Sequence, residues 1–176
     1  MVYVGSGDGH VYALNADTGT LRWTYAAGEF LDTTPAVVSG MVYIGAGDSF
    51  HALDASTGDL VWSYATKGGV ESSAAVAHGL VYVGSGDNKL YALNASTGLL
   101  QWSYTSGSYV FSSPAVANGV VYVGSDDHKV YALNARTGAL LWSYSTEGRV
   151  DSSPVVANGR MYIGSDDHRL YSFGLR

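Results

Sequence analysis

A period of about forty residues runs through the whole sequence. Each copy contains a run such as Val-Tyr-Val-Gly, and the closing glycines are Gly5, Gly45, Gly84, Gly124 and Gly164, so successive copies lie 39 or 40 residues apart. A repeat of this size is one small structural unit that cannot bury its apolar side alone, so neighbouring copies must stack. The period therefore restricts the chain to an array of similar units.

Each full copy predicts four short strands, named A to D in chain order. In the copy that starts at Tyr109, these are residues 110–117, 120–125, 130–135 and 139–146. Asn118-Gly119 between A and B is a strong hairpin signal, because both turn positions need a positive φ. β-branched and aromatic residues dominate strand B, whereas no segment shows helical apolar spacing over three turns. The copies therefore predict antiparallel strands.

Four antiparallel strands in about forty residues match one blade of a β-propeller. We predict an all-β propeller with 18 strands in four to five blades: strands BCD, three full blades, then strands ABC. The chain is then a single propeller or propeller fragment with repeats at 1–29, 30–68, 69–108, 109–148 and 149–176. Open ends expose strand edges and blade faces, so we expect self-association that could complete the ring. A closed five-bladed monomer is the alternative.

Composition excludes several classes of function. The net charge is −6 and the nine Lys and Arg are scattered, which argues against nucleic acid as a partner. No apolar run reaches the 18 residues that a membrane span requires. The absence of cysteine excludes disulfides and thiolate chemistry. The chain opens in strand-like sequence, so we predict no signal peptide within it.

An eleven-residue motif ends in tryptophan and recurs four times, beginning with "ALNADTGTLRW". Its first, seventh and eleventh residues are Ala13, Gly19 and Trp23; Ala52, Gly58 and Trp62; Ala92, Gly98 and Trp102; and Ala132, Gly138 and Trp142. This pattern resembles the tryptophan-docking motif of quinoprotein-like propellers, which are built from the pyrroloquinoline-quinone (PQQ) repeat. The fifth copy ends in "LYSFGLR" and contains no tryptophan.

The resemblance implies a structural role for the four tryptophans, whose rings would pack against the motif alanine and a glycine of the adjoining blade. It also suggests an extracytoplasmic location. Active quinone enzymes of this kind add a metal-binding set of acids and amides, and they often have adjacent cysteines and a tryptophan beneath the cofactor. This chain has no cysteine, and its four tryptophans all belong to the motif. We therefore expect neither a cofactor nor enzymatic activity.

The D-to-A connections vary most between copies, and variation on a constant framework marks where a site could lie. One variable position holds Asp32, Glu71, Phe111 and Asp151, and another holds Phe30, Gly69, Tyr109 and Arg149. Phe30, Tyr109, Phe111 and Arg149 are the candidate partner-binding residues. Asp32, Glu71 and Asp151 could form a ring of carboxylates that holds Ca²⁺ at a channel mouth. Solvated loop charge is the simpler interpretation.

The B-to-C turns also contain acids and histidines. Asp126, Asp127 and His128, with Asp166, Asp167 and His168, resemble metal ligands, but they lie on separate blades and adjacent acids on a turn point apart. An aspartate recurs in all five turns, as Asp8, Asp48, Asp87, Asp127 and Asp167. We interpret it as a turn former whose carboxylate accepts backbone N–H groups.

Three functional hypotheses remain. The first is a non-enzymatic scaffold that binds a protein or ligand and self-associates, similar to the propellers of outer-membrane assembly lipoproteins. The second is a fragment of a PQQ-dependent dehydrogenase with calcium at the channel mouth. The third is an excised or engineered repeat array whose chief property is assembly into a ring, suggested by the near identity of the last three copies.

Overall fold

The computed structural model of the chain describes residues 1–28 and 31–175, and there it consists of strands and turns. Eighteen strands form five antiparallel sheets within these residues, as predicted. The first sheet has three strands: β1 (Val2–Gly5), β2 (His10–Leu14) and β3 (Leu21–Ala26). The last also has three: β16 (Val155–Ala157), β17 (Arg160–Ser165) and β18 (Arg169–Gly174). No helix in the described residues has the length and apolar character needed to cross a membrane.

The three middle sheets each contain four strands in the order A-B-C-D. The second sheet comprises β4 (Ala36–Val38), β5 (Met41–Ala46), β6 (Ser49–Asp54) and β7 (Leu60–Ala65). The third comprises β8 (Ala75–Ala77), β9 (Leu80–Ser85), β10 (Lys89–Asn94) and β11 (Leu100–Thr105). The fourth comprises β12 (Ala115–Ala117), β13 (Val120–Ser125), β14 (Lys129–Asn134) and β15 (Leu140–Ser145).

Asn118 and Gly119 both adopt positive φ angles, 50° and 75°, as the predicted hairpin turn requires. Strand A is much shorter than predicted, three residues rather than eight. Its predicted first half lies in the D–A connection, where the N–H of Ser113 donates to the Ser153 hydroxyl of the next copy instead of to a sheet partner. Pro114 has no backbone N–H that could donate a hydrogen bond to a neighbouring strand.

The core lies between successive sheets. Four apolar clusters each join one sheet to the next, and the cluster between the second and third sheets contains Tyr43, Phe50 and Trp62 from one side and Val81 and Val83 from the other. Among the described residues, no such cluster joins the last sheet to the first. Both terminal sheets therefore leave one face uncovered.

In the last four sheets the inner edge is strand A. Neighbouring inner strands lie side by side, β4 with β8, β8 with β12 and β12 with β16. The glycine near the end of strand B allows the next D–A connection to approach closely, since a Cβ on Gly84 would clash with the carbonyl oxygen of Val110. The sheets thus pack tightly near the inner strands, which brings successive D–A connections together.

Candidate functional site

The tryptophans of the first three motif copies contact the following sheet in one repeated geometry. The Trp62 indole N–H donates to the Ala95 carbonyl at 2.9 Å, and its ring lies where a Cβ on Gly98 would come within 2.7 Å. Trp23 and Trp102 make the same contacts, with Ala55 and Gly58 and with Ala135 and Gly138. Each tryptophan also stands opposite its own motif alanine in the sheet register, Ala52 in the case of Trp62.

The ends of the array break this pattern. Gly19 has the same left-handed backbone, with φ of 68°, yet nothing lies within 4 Å of the position its Cβ would take. At the other end, Trp142 is half-buried and its ring lies 5.1 Å from that of Phe173. The indole of Trp142 has no carbonyl acceptor within the described part of the chain. Gly19 is thus a docking glycine without a tryptophan, and Trp142 a tryptophan without a docking glycine.

The candidate site is the surface that we call the D–A rim, made of the D–A connections and the neighbouring B–C turns. Its described residues are 6–9, 27–28, 31–35, 47–48, 66–74, 86–88, 106–114, 126–128, 146–154 and 166–168. Hydrogen bonds link its segments across sheets: the backbone N–H of Thr34 donates to the hydroxyl of Ser73, that of Ser73 to Ser113 and that of Ser113 to Ser153, at 2.8 to 3.0 Å. These bonds order the rim around the inner strands.

The recurring turn aspartates belong to the framework of the rim. The Asp127 carboxylate accepts a hydrogen bond from the Tyr131 hydroxyl. It accepts another from the backbone N–H of Gly107, at 2.8 Å. Asp87 accepts from Tyr91 and from the backbone N–H of Lys67. Asp167 does the same with Tyr171 and the backbone N–H of Glu147, so these three aspartates tie their turns to the preceding D–A connection and to their own strand C.

Variable side chains project from this framework, one set at each junction between sheets. At the junction of the third and fourth sheets, the rings of Tyr109 and Phe111 lie 5.2 Å apart, with Tyr109 exposed. The Phe111 ring lies over Gly86, whose Cβ would come within 3.4 Å of it. This junction therefore presents an aromatic pair to solvent.

The next junction carries charge instead. The Asp126 side chain is only 7% exposed, and its carboxylate lies 3.8 Å from the Arg149 guanidinium. Burial, a hydrogen bond to Asp151 and the charge of Asp151 raise the pKa of Asp126 to about 7, although Arg149 opposes the shift. One oxygen of the Asp126 carboxyl is buried without a hydrogen-bond partner among the described residues. The Asp126 carboxyl therefore keeps its proton to a higher pH than an exposed aspartate does.

The predicted carboxylate ring does not assemble in the described residues. Asp32, Glu71 and Asp151 lie at three different junctions, and no group of three or more His, Asp or Glu side chains in residues 1–28 and 31–175 could hold a metal ion. The acid pair that does form has Arg149 beside it, whose charge disfavours a cation. His128 and His168 each occupy a left-handed turn position with φ of 66°. The donor set therefore does not fit the calcium of a quinone enzyme.

Phe30 lies outside the described residues, so it is not counted in the rim. The sequence pattern presents Asp126 as a turn acid, whereas the structure places it in the charged junction. A signal for Asp126 was present when the copies are aligned. The position that holds Gly47 and Gly86 in earlier copies holds Asp126 and Asp166 in later ones, and Arg149 and Asp151 appear in the same region of the chain.

Comparisons with known proteins agree on the architecture. Residues 1–67 and 107–174 match the family model described as outer membrane protein assembly factor BamB. No curated protein matches the chain.

Solved structures extend this result at the level of the fold. BamB from Moraxella catarrhalis superposes with a TM-score of 0.86 at 23% identity, covering 98% of this chain and 54% of that one. The computationally designed Ika8 protein gives 0.86 at 19% identity over 98% and 55% of the two chains. The computationally designed Ika4 protein gives 0.76 at 18% identity over 85% and 93%. The chain thus spans about half the length of the first two structures.

Proposed function

The chain belongs to the BamB-like family of PQQ-repeat propellers, and from this premise we propose that it is a non-enzymatic scaffold that binds a protein through its D–A rim. One observation carries the proposal: the framework of the rim repeats from sheet to sheet, while its projecting side chains change. Tyr109 and Phe111 form an aromatic pair at one junction, and Arg149 stands beside a buried acid at the next.

The chemistry of these two junctions suits a protein partner. Tyrosine and arginine are enriched at the energetic centres of protein interfaces, because they combine a large contact area with directional polar groups. The aromatic pair would supply the apolar contact, and Arg149 would supply hydrogen bonds at its edge. The name of BamB describes an assembly factor for outer-membrane proteins. For this chain we propose only that it binds a protein.

We test rim binding by photo-crosslinking. A photoreactive phenylalanine analogue at Tyr109 in the full chain, expressed in cells of the source organism, should give one discrete crosslinked protein. The same analogue at exposed Arg136, in a C–D turn away from the rim, should not. The double variant Tyr109→Ser and Phe111→Ser should no longer co-purify with that protein while keeping its melting temperature. Equal crosslinking at positions 109 and 136 would refute the proposal.

The absence of enzymatic activity is tested separately with quinone and Ca²⁺. We expect no stoichiometric quinone complex and no dye reduction, because the rim acids among the described residues do not converge and Arg149 lies at the acid pair. A bound quinone chromophore with turnover would favour the dehydrogenase alternative.

Self-association is the second part of the proposed function. Val4 of the first sheet is 43% exposed, whereas Ile44, its counterpart one repeat later, is 1% exposed because the first sheet covers it. The open face of the first sheet thus displays Val2, Val4 and Leu14, which are residue types that pack between sheets elsewhere in the chain. Burying such a face against another copy recovers its apolar contact.

A further inference from the structure

Two neighbouring clefts open between strand B of one four-stranded sheet and the C–D turn of the next. The first lies between the second and third sheets and has a volume of about 320 Å³. The second lies between the third and fourth sheets and has a volume of about 390 Å³. Asn134, which lines the second cleft, ends the strand that Lys129 begins at the B–C turn. The clefts therefore lie at the end of the sheets opposite the D–A rim.

The two clefts share their apolar walls. An apolar side chain and a tyrosine of strand B line each cleft, and in the second these are Leu80 and Tyr82. The Tyr82 hydroxyl donates to the Ala135 carbonyl of the C–D turn at 3.0 Å. The Tyr43 hydroxyl donates to the Ala95 carbonyl in the same way, at 3.1 Å. These bonds join the walls across the sheets, so each cleft is a fixed part of its junction.

The polar side chains at the mouth distinguish one cleft from the other. The first has Ser39 from an A–B turn and Ser96 from a C–D turn. The second has His78 and Arg136 at the same two positions of the repeat. His78 also borders the first cleft, whereas Arg136 lines the second alone. We call the second one the basic cleft.

The donors of the basic cleft are available to a ligand. Arg136 forms no salt bridge within the described residues, and no Asp or Glu among them lines the cleft. The side-chain oxygen of Asn134 already accepts the backbone N–H groups of Arg136 and Thr137, which leaves its NH₂ group as the donor. The ring of His78 offers an N–H in either tautomer. The polar part of the cleft therefore suits an anion.

We propose that the basic cleft binds a small organic carboxylate with an apolar body. A guanidinium and a carboxylate match in shape and form two parallel hydrogen bonds, so Arg136 pairs with the ligand and His78 donates a further bond. The apolar body lies against Leu80 and Tyr82, which an inorganic anion would leave uncovered. A volume of about 390 Å³ falls in the range of small-molecule sites. This function goes beyond protein binding and uses a separate surface.

The test titrates hexanoate into the 176-residue chain and follows the leucine methyl signals by NMR. We expect a saturable shift of the Leu80 methyl signals. Hexanamide keeps the apolar body without the charge, and acetate keeps the charge without the body. Each should bind at least about tenfold more weakly than hexanoate. No saturable shift with hexanoate, or equal affinity for hexanamide, acetate or inorganic phosphate, would overturn the proposal.

Substitutions already present in other copies supply the variants. Arg136→Ser gives this turn position the residue of Ser96, and it should weaken hexanoate binding at least about tenfold. Adding His78→Ser should abolish saturation. Serine suits that position, because Ser39 has a φ of 51° where His78 has 53°.

Lys129→Ser is the matched control, since it removes one positive charge from the opposite end of β14. It should leave the affinity for hexanoate unchanged. An equal loss in Lys129→Ser and Arg136→Ser, or an unchanged affinity in Arg136→Ser, would overturn the proposal. Photo-crosslinking at the rim does not involve this cleft, so the two proposals can fail separately.

Discussion

At the scale of single residues, the docking glycines meet two separate requirements. Gly98 has a φ of 71°, in the left-handed region that favours glycine, and a Cβ there would also lie 2.7 Å from Trp62. Gly19 shares the first requirement, with φ of 68°, but not the second. The chain thus contains a matched pair that separates backbone strain from the contact with the ring.

We expect Gly98→Ala to destabilise the chain more than Gly19→Ala. Both variants incur the left-handed cost of about 1–2 kcal/mol. Only Gly98→Ala also displaces a tryptophan ring, which adds about 1–3 kcal/mol of overpacking. Urea unfolding of the two variants measures the difference. Equal shifts in the unfolding midpoint would show that the ring contributes nothing at this position.

Trp62→Ala and Trp142→Ala form a second matched pair. Removal of the buried, hydrogen-bonded Trp62 should lower the free energy of unfolding by about 3–5 kcal/mol. Removal of Trp142, which has no docking glycine in the described residues, should cost less than half as much. Urea unfolding measures both variants. If Trp142→Ala proves as damaging, the docking contact is not the source of the stability.

His51 is a buried residue that should make stability depend on pH. It replaces the tyrosine found at this position as Tyr91, Tyr131 and Tyr171, and its Nδ1 lies 3.0 Å from the Tyr25 hydroxyl. Burial lowers the pKa of His51 below its usual 6.5, so the unfolded chain binds a proton more readily. Stability should therefore fall as the pH drops below 6.5.

The His51→Tyr variant tests this dependence. It should lose the His51 contribution to the pH slope of the free energy of unfolding, measured between about pH 7.5 and about pH 5. A slope that equals that of the wild-type chain would exclude His51 as its source.

At the scale of elements, strands B, C and D follow from alternating and β-branched sequence, and the predicted bounds of these strands agree with the structure to within one or two residues. The pairing irregularity beside each tryptophan was not predicted. In the second sheet Ala52 pairs with Trp62 and Leu53 with Leu60, which leaves Val61 as the extra residue. Such a bulge depends on the register between two strands, and hydrophobic pattern alone does not specify it.

The candidate site was predictable to a similar degree. Comparison of copies identified Tyr109, Phe111, Arg149 and Asp151 as variable positions in the connections. It did not pair Asp151 with Asp126, because these residues belong to consecutive copies and meet only when the sheets stack. Comparison of the copies identifies which positions vary, whereas the contacts at a junction depend on how two neighbouring sheets pack.

The junction that contains Asp126 and Asp151 should make stability change with pH in the direction opposite to that expected from His51. Because burial and Asp151 raise the pKa of Asp126 to about 7 from its usual 3.8, the folded chain holds that proton more tightly than the unfolded chain. Stability from this group should therefore decline as the pH rises from about 3.8 to about 7. Asp126→Asn should remove that decline in urea unfolding measured across this range. A wild-type slope in the variant would contradict the raised pKa of Asp126.

At the scale of the whole molecule, the two uncovered faces should determine the association state. We expect the 176-residue chain to sediment as a species larger than a monomer, increasingly so at higher concentration. Val4→Glu, on the open face of the first sheet, should shift it toward monomer. Leu99→Glu, at an exposed apolar residue of a C–D turn, is the control and should leave the sedimentation unchanged. A monomer at all concentrations would rule out association through these faces.

The hydrogen-bonded chain from Thr34 through Ser73 and Ser113 to Ser153 has a consequence for how such proteins change over generations. Ser73 and Ser113 each donate through the backbone N–H and accept through the hydroxyl, so the two copies that contain them carry both halves of the joint. A gene that gains or loses one whole repeat through unequal recombination would recreate the joint at the new boundary without a further mutation. Recombination could thus exchange entire rim segments, with their side chains, as intact cassettes.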